Sequence, residues 1–135
     1  MEVMRVEGLK KVYGSGELAV TAITDISFKV DPGELMALLG PSGSGKSTLL
    51  LCISLILEPT EGRIVVNGQE IYRDGWTGLD TRRFRRENVG FIFQSHNLIP
   101  FLTVRDNVAL AMELNGVRKT EAARRALDIL GYLEV

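Results

Sequence analysis

In the run Gly40-Pro41-Ser42-Gly43-Ser44-Gly45-Lys46-Ser47-Thr48, two glycines separated by four residues lead directly into a lysine and two hydroxyls. The order G-x-x-x-x-G-K-[ST] suits the capture of a phosphate. Gly40, Gly43 and Gly45 can take backbone angles closed to other residues, so successive N–H groups turn inward on one anion with no side chain in the way. A helix starting here adds its unpaired amides and the positive end of its dipole. Lys46 then offers a mobile ammonium to the β and γ phosphates of a nucleotide, and the Ser47 hydroxyl is placed to ligate magnesium. A plain glycine-rich turn between strand and helix would require neither the lysine nor the hydroxyl beside it.

Such a loop needs a strand before it and a helix behind it. Residues 35–39 form a short apolar run, which predicts the strand, and the apolar residues 49–57 are long enough for the helix. Upstream, Ile26-Ser27-Phe28-Lys29-Val30 alternates as a half-buried strand does, and Asp31-Pro32-Gly33 is a turn signal. Residues 1–30 as a whole read as β structure with turns. Tyr13 stands beside Gly14-Ser15-Gly16; by itself it reads as a packing residue more readily than as a ligand contact.

Downstream, residues 58–62 break the helical pattern, and Ile64-Val65-Val66-Asn67-Gly68 predicts a strand entering a hairpin turn. Residues 73–80 read only as loop. Arg82, Arg83, Arg85 and Arg86 surround Phe84, and Glu87 follows, which suits a solvated helix face with one anchoring aromatic better than a phosphate site. Val89-Gly90-Phe91-Ile92-Phe93 predicts a strand buried on both faces and ending at Gln94, where open α/β sheets bind their ligands. Thr103 with Asp106 resembles a capping box for a helix through about Leu114 that Asn115-Gly116 closes. A last helix is expected from a Thr120 cap to about Leu130, with Gly131 as its stop.

The composition sets wide bounds. The chain has 135 residues, 45% of them hydrophobic, which suffices for one domain or part of one. With 16 basic against 17 acidic residues there is no global field to draw in nucleic acid or a membrane surface. Cys52, alone in an apolar helical run, reads as a buried reduced thiol. The N-terminus shows no signal peptide, so secretion is not expected. Residues 49–57 are about half of the roughly twenty needed to cross a bilayer, so any membrane would be reached through another subunit.

Taken together these residues resemble the ATP-binding subunit of an ATP-binding cassette (ABC) transporter, in the branch of lipoprotein-releasing and macrolide-exporting systems. Besides the loop, the resemblance rests on Glu58-Pro59-Thr60-Glu61-Gly62, Asn67-Gly68, Val89-Gly90-Phe91-Ile92-Phe93-Gln94, Asn97-Leu98-Ile99-Pro100 and Leu102-Thr103-Val104-Arg105-Asp106-Asn107-Val108. It implies an α/β P-loop NTPase fold, an ABC ATPase core with an N-terminal antiparallel β part. It also implies ATP and Mg²⁺ as cofactors. Tyr13 becomes the aromatic that stacks on adenine; Gly40, Ser42, Gly43, Ser44, Gly45, Lys46, Ser47 and Thr48 hold the phosphates. Lys46 and Gln94 become catalytic, and Ser47 and Gln94 bind the metal, an uncharged amide being able to contact both metal and water.

The resemblance further implies a head-to-tail homodimer at the cytoplasmic face of the cell membrane, with a permease subunit docked on residues 94–102 and no nucleic acid partner. Leu98, Ile99, Phe101 and Leu102 could serve that contact or pack inside the domain. The family's signature motif, its Asp-Glu strand end and its switch histidine do not occur in these 135 residues. Glu58 lacks the preceding aspartate, and His96 comes too early to be the switch and reads as a loop residue. The expectation is therefore a partial cassette spanning residues 1–135, whose full-length form hydrolyses ATP while these residues alone bind nucleotide weakly and do not turn it over. The strand before the loop should have unpaired edges, since in the family its partners come later in sequence. A nucleotide sensor without turnover and a soluble cassette acting on nucleic acid are the rival classes.

Overall fold

The computed structural model describes residues 2–95 and 97–135, so His96 lies outside the described residues. The chain forms two compact units, Met1–Val89 and Gly90–Val135.

In the first unit, β1 (Met4–Tyr13) and β2 (Val20–Val30) are joined by a short 3-10 turn, Gly16–Leu18. Helix α1 (Lys46–Ile53) follows, then the hairpin of β3 (Glu61–Val66) and β4 (Gln69–Arg73), and helix α2 (Thr81–Asn88). The four strands make one antiparallel sheet in the order β2-β1-β3-β4. Val6 faces Phe28 on one side and Ile64 on the other. Asn67 and Gly68, at φ +50° and +76°, supply the two positive angles of a tight hairpin turn between β3 and β4.

One face of the sheet carries the core. Val6, Leu9, Ile64, Val66 and Ile71 are buried there with Leu49 and Cys52 of α1 and Phe84 of α2. Each fully buried aliphatic side chain contributes about 2 kcal/mol. Val6 and Leu9 are three residues apart and still share this face, because the register of β1 shifts between them. Gly62 lets β3 approach β1 closely: a Cβ there, at φ +107°, would lie 2.7 Å from the Gly8 carbonyl oxygen. Phe84 is the buried anchor of α2; Arg82, Arg83 and Arg86 are exposed as expected, whereas Arg85 is half-buried and donates to the Leu55 carbonyl.

Several sequence expectations need correction. Residues 35–39 are not a strand; Leu35 and Leu39 are 97% and 91% exposed, and the run has no ladder partner among the described residues. An apolar run becomes a strand only where another strand takes up its backbone groups. For the same reason residues 89–93 are irregular chain, with Ile92 98% exposed. Helix α1 stops at Ile53 and does not reach Leu57. The Ser54 hydroxyl donates to the Leu50 and Leu51 carbonyls, and Leu55 turns to φ +60° with its carbonyl capped by Arg85.

The second unit is a pair of helices, α3 (Val104–Leu114) and α4 (Lys119–Tyr132). Ala109, Ala122 and Ala126 are buried between them, small enough to let the backbones approach. Thr103 caps α3 as expected, accepting from the Asp106 N–H at 3.1 Å. Helix α4 differs: it begins at Lys119, with Thr120 inside it, and runs through Gly131. Gly131 has no positive φ, so it cannot act as a left-handed stop.

The solvent face of the sheet bears a chain of ion pairs. Arg63 bridges Glu7 at 2.9 Å and Glu70 at 2.5 Å, and Arg73 reaches Glu70 at 2.6 Å. The Arg73 and Arg63 guanidiniums hold the Glu70 carboxyl down at about 2, against an ordinary 4.5. A depressed carboxyl stabilises the fold fully above its unfolded value, and that contribution fades as pH falls toward the folded one. Glu70→Gln should therefore lower the urea midpoint at pH 7, and the gap from wild type should close between about pH 4.5 and 2. A gap independent of pH would show that Glu70 acts through packing alone.

Candidate functional site

The loop of residues 40–45 is tied to the sheet at its last residue. Gly45 sits at φ +86° as the cap of α1, so close to β2 that a Cβ would stand 2.3 Å from the Ala22 carbonyl oxygen. Only glycine meets both conditions, the left-handed angle and the missing side chain. From this point α1 leaves with Leu49 and Cys52 buried, which fixes the direction of its N-terminal turn. The first amides of that turn have no acceptor within the helix, and no side chain caps them.

Lys46, the first residue of α1, folds back over the loop. Its Nζ donates to the Gly40 carbonyl at 2.8 Å, the Pro41 carbonyl at 2.6 Å and the Ser44 hydroxyl at 3.3 Å. The ammonium thus occupies the bowl that the loop encloses. Ser42, Gly43 and Ser47 are exposed around it. An open groove of about 460 Å³ runs beside the loop, lined by Ile23, Ile26, Leu38 and Leu49 together with Gly45 and Lys46.

Tyr13 lies at the end of β1, 42% exposed, and its hydroxyl is 3.4 Å from the Thr48 hydroxyl. The structure therefore brings Tyr13 against Thr48 in the first turn of α1. Lys11 Nζ lies 5.3 Å from the centre of the Tyr13 ring and donates to the Glu58 carbonyl at 2.8 Å. Burial pushes the Cys52 thiol up, so Cys52 is the inert core residue its sequence context implied.

Gln94 belongs to the second unit, in exposed irregular chain. Just beyond it, Leu98 and Phe101 are 60% and 87% exposed, whereas Ile99 and Leu102 are half-buried. Asn107 stitches this segment onto α3. Its amide donates to the carbonyls of Ile99, Leu102 and Thr103, and its carbonyl oxygen accepts from the Ile99 N–H at 2.8 Å.

Among the described residues no group of three or more His, Cys, Asp or Glu could hold a metal by itself. The Ser47 hydroxyl is an exposed neutral oxygen, a donor that suits a hard cation whose other ligands are phosphate oxygens and water. No described helix is long and apolar enough to cross a membrane. A second depression of about 500 Å³ is lined by Glu2, Arg5, Asp31 and Arg63, but Glu2 already pairs with Arg5 and Arg63 with Glu7. Sequence reasoning gave no role to Lys11 or Asn107 individually. Asn107 was visible only as part of a longer motif, and Lys11 carried no motif signal.

The loop, the helix it opens and the antiparallel sheet beneath it are the parts of a P-loop cassette fold. Residues 23–134 match the family profile described as ABC transporter, and the chain belongs to that family. It is 42% identical over 129 residues to an uncharacterized ABC transporter ATP-binding protein of Thermotoga maritima, covering 96% of this chain and 54% of that one. Similarity extends to the lipoprotein-releasing system ATP-binding protein LolD of Geobacter metallireducens, 39% identical with 96% and 56% covered. It extends also to the methionine import ATP-binding protein MetN of Chromohalobacter salexigens, 42% identical with 98% and 38% covered. The dimeric bacterial ABC transporter cassette MJ0796 superposes with a TM-score of 0.85 at 32% identity, over 98% of this chain and 57% of that one. The chain thus spans about half the length of these relatives, or less.

Gly45→Ala should strain the left-handed cap and press a methyl into the Ala22 carbonyl. The expected cost is about 2–3 kcal/mol, read as a lowered denaturation midpoint. An unchanged midpoint would mean that the loop does not rest on β2.

Proposed function

We propose that this chain is the nucleotide-holding part of an ATPase subunit that powers a membrane transporter, with ATP and Mg²⁺ bound at residues 40–48. The observation that carries the reading is the Lys46 ammonium lying in the bowl of a loop whose last residue can only be glycine. A triphosphate would offer Lys46 anionic oxygens in place of two carbonyls and a hydroxyl, and charge-assisted hydrogen bonds are the stronger kind. The amides at the start of α1 and the helix dipole act on the same anion. Ser47 would hold Mg²⁺ with the phosphate oxygens; on the family resemblance alone, Gln94 would be a second ligand and would contact the attacking water. The metal, when bound, neutralises charge that develops on the phosphates. Tyr13, exposed beside Thr48, offers its ring to the adenine.

MJ0796 has been solved as a dimer in a post-hydrolysis state bound to ADP and Pi, which supports hydrolysis and a dimer for the full-length protein here, a dimer we take to be head-to-tail. The permease would dock on residues 94–102, where Leu98 and Phe101 present apolar surface and Asn107 keeps the segment in shape. On this reading the protein would sit at the cytoplasmic face of the membrane. The motifs of residues 89–108 and the likeness to LolD support the lipoprotein-releasing and macrolide-exporting branch; MetN, an importer by its name, is slightly more identical, at 42% against 39%.

In the full-length protein Lys46→Ala should reduce steady-state ATPase activity by about two orders of magnitude or more. Full turnover in that variant would remove Lys46 from the mechanism.

A further inference from the structure

We propose that Lys11 is a positioning residue that holds the Tyr13 ring ready for a nucleotide base, using the residue 58–60 segment as its frame. The inference rests on the nucleotide reading above and extends it to a residue that touches neither phosphate nor metal.

Tyr13 is the last residue of β1, followed by Gly14 at φ +73°. A half-exposed ring at a strand end beside a glycine has rotamer freedom to lose when a base stacks on it, and that loss weakens binding. Two contacts restrict it. The Tyr13 hydroxyl meets Thr48, and the Lys11 ammonium lies 5.3 Å from the ring centre, within cation–π range. Lys11 and Tyr13 are two apart on one strand, so their side chains share a face.

The ammonium is itself held. It donates to the Glu58 carbonyl at 2.8 Å. Residues 58–60 are fastened to β1 by further bonds: the Thr60 N–H to the Lys10 carbonyl at 2.8 Å, and the Val12 N–H to the Thr60 hydroxyl at 2.9 Å. On the other side the buried Tyr72 hydroxyl donates to the Pro59 carbonyl at 2.8 Å. A lysine on a free strand end would trade such contacts for water. Here its head is fixed at a main-chain carbonyl beside the aromatic ring.

The contribution should appear in affinity for ligands that carry a base and be missing for those that carry phosphate alone. An exposed cation–π contact corresponds to about a three-fold effect. In the full-length protein, Lys11→Met should raise the Kd for MgATP about three-fold and leave the Kd for magnesium tripolyphosphate unchanged. Lys11→Arg, which keeps a cation, should restore the wild-type ratio of the two, and Lys11→Met should have no further effect once Tyr13→Ala is present. Equal weakening of both ligands, a persistent effect in the Tyr13→Ala background, or unchanged MgATP affinity in Lys11→Met would each overturn the positioning role. A wild-type protein that binds no MgATP would overturn the nucleotide reading itself, and this inference with it.

Discussion

The backbone of Gly45 rests so near the Ala22 carbonyl that a methyl would stand 2.3 Å from the oxygen, and the same residue must turn to φ +86° before α1 can begin. These two demands fix where the loop ends, which strand it ends on and where the helix dipole points. Because α1 buries Leu49 and Cys52 in the core of the first unit, its N-terminal turn is held by packing as well as by the loop. The first-turn amides are thereby oriented by the fold itself, whereas the Lys46 ammonium would have to exchange its loop contacts for those of an incoming anion.

The sheet extends this constraint to the aromatic. β1 pairs with β2 as far as Tyr13 and Val20, so the strand that supports Gly45 is also the neighbour of the strand that ends in Tyr13. The residue 58–60 segment, a few residues after α1, is fastened to β1 through Thr60 and Lys11 and gripped from β4 by Tyr72. Burial holds the Tyr72 phenol at about 12, so it stays protonated and able to donate across the ordinary pH range. In the second unit Asn107 plays a comparable part, drawing the carbonyls of Ile99, Leu102 and Thr103 onto the first turn of α3.

Features encoded by a few adjacent residues were legible in the sequence. The positive φ of Gly40, Gly43 and Gly45, the Asn67-Gly68 hairpin, the Thr103 cap and the anchoring of α2 by Phe84 each depend on local chemistry, and each is present as read. Residues 35–39 and 89–93 were misread because their apolar character describes what they would bury, while strand formation depends on a partner that local sequence does not name. The end of α1 was missed because a serine back-bond and a left-handed Leu55 overrode an apolar run. Lys11 was invisible for another reason: its role comes from a main-chain carbonyl 47 residues away. As for the site, the loop proposed to hold phosphate is marked by its spacing, whereas the tether of Gly45 to Ala22 and the contacts of Tyr13 with Lys11 and Thr48 are long-range features that spacing does not encode.

The central claim is that a nucleotide phosphate enters the bowl where the Lys46 ammonium now lies. Titration of MgATP into the isotope-labelled full-length protein, followed by backbone amide NMR, tests it most directly. The account predicts the largest shifts at the amides of Gly43, Gly45, Lys46, Ser47 and Thr48, accompanied by the ring signals of Tyr13. Shifts confined to the ion-paired face around Arg5, Arg63 and Glu70, with the loop amides unmoved, would contradict it.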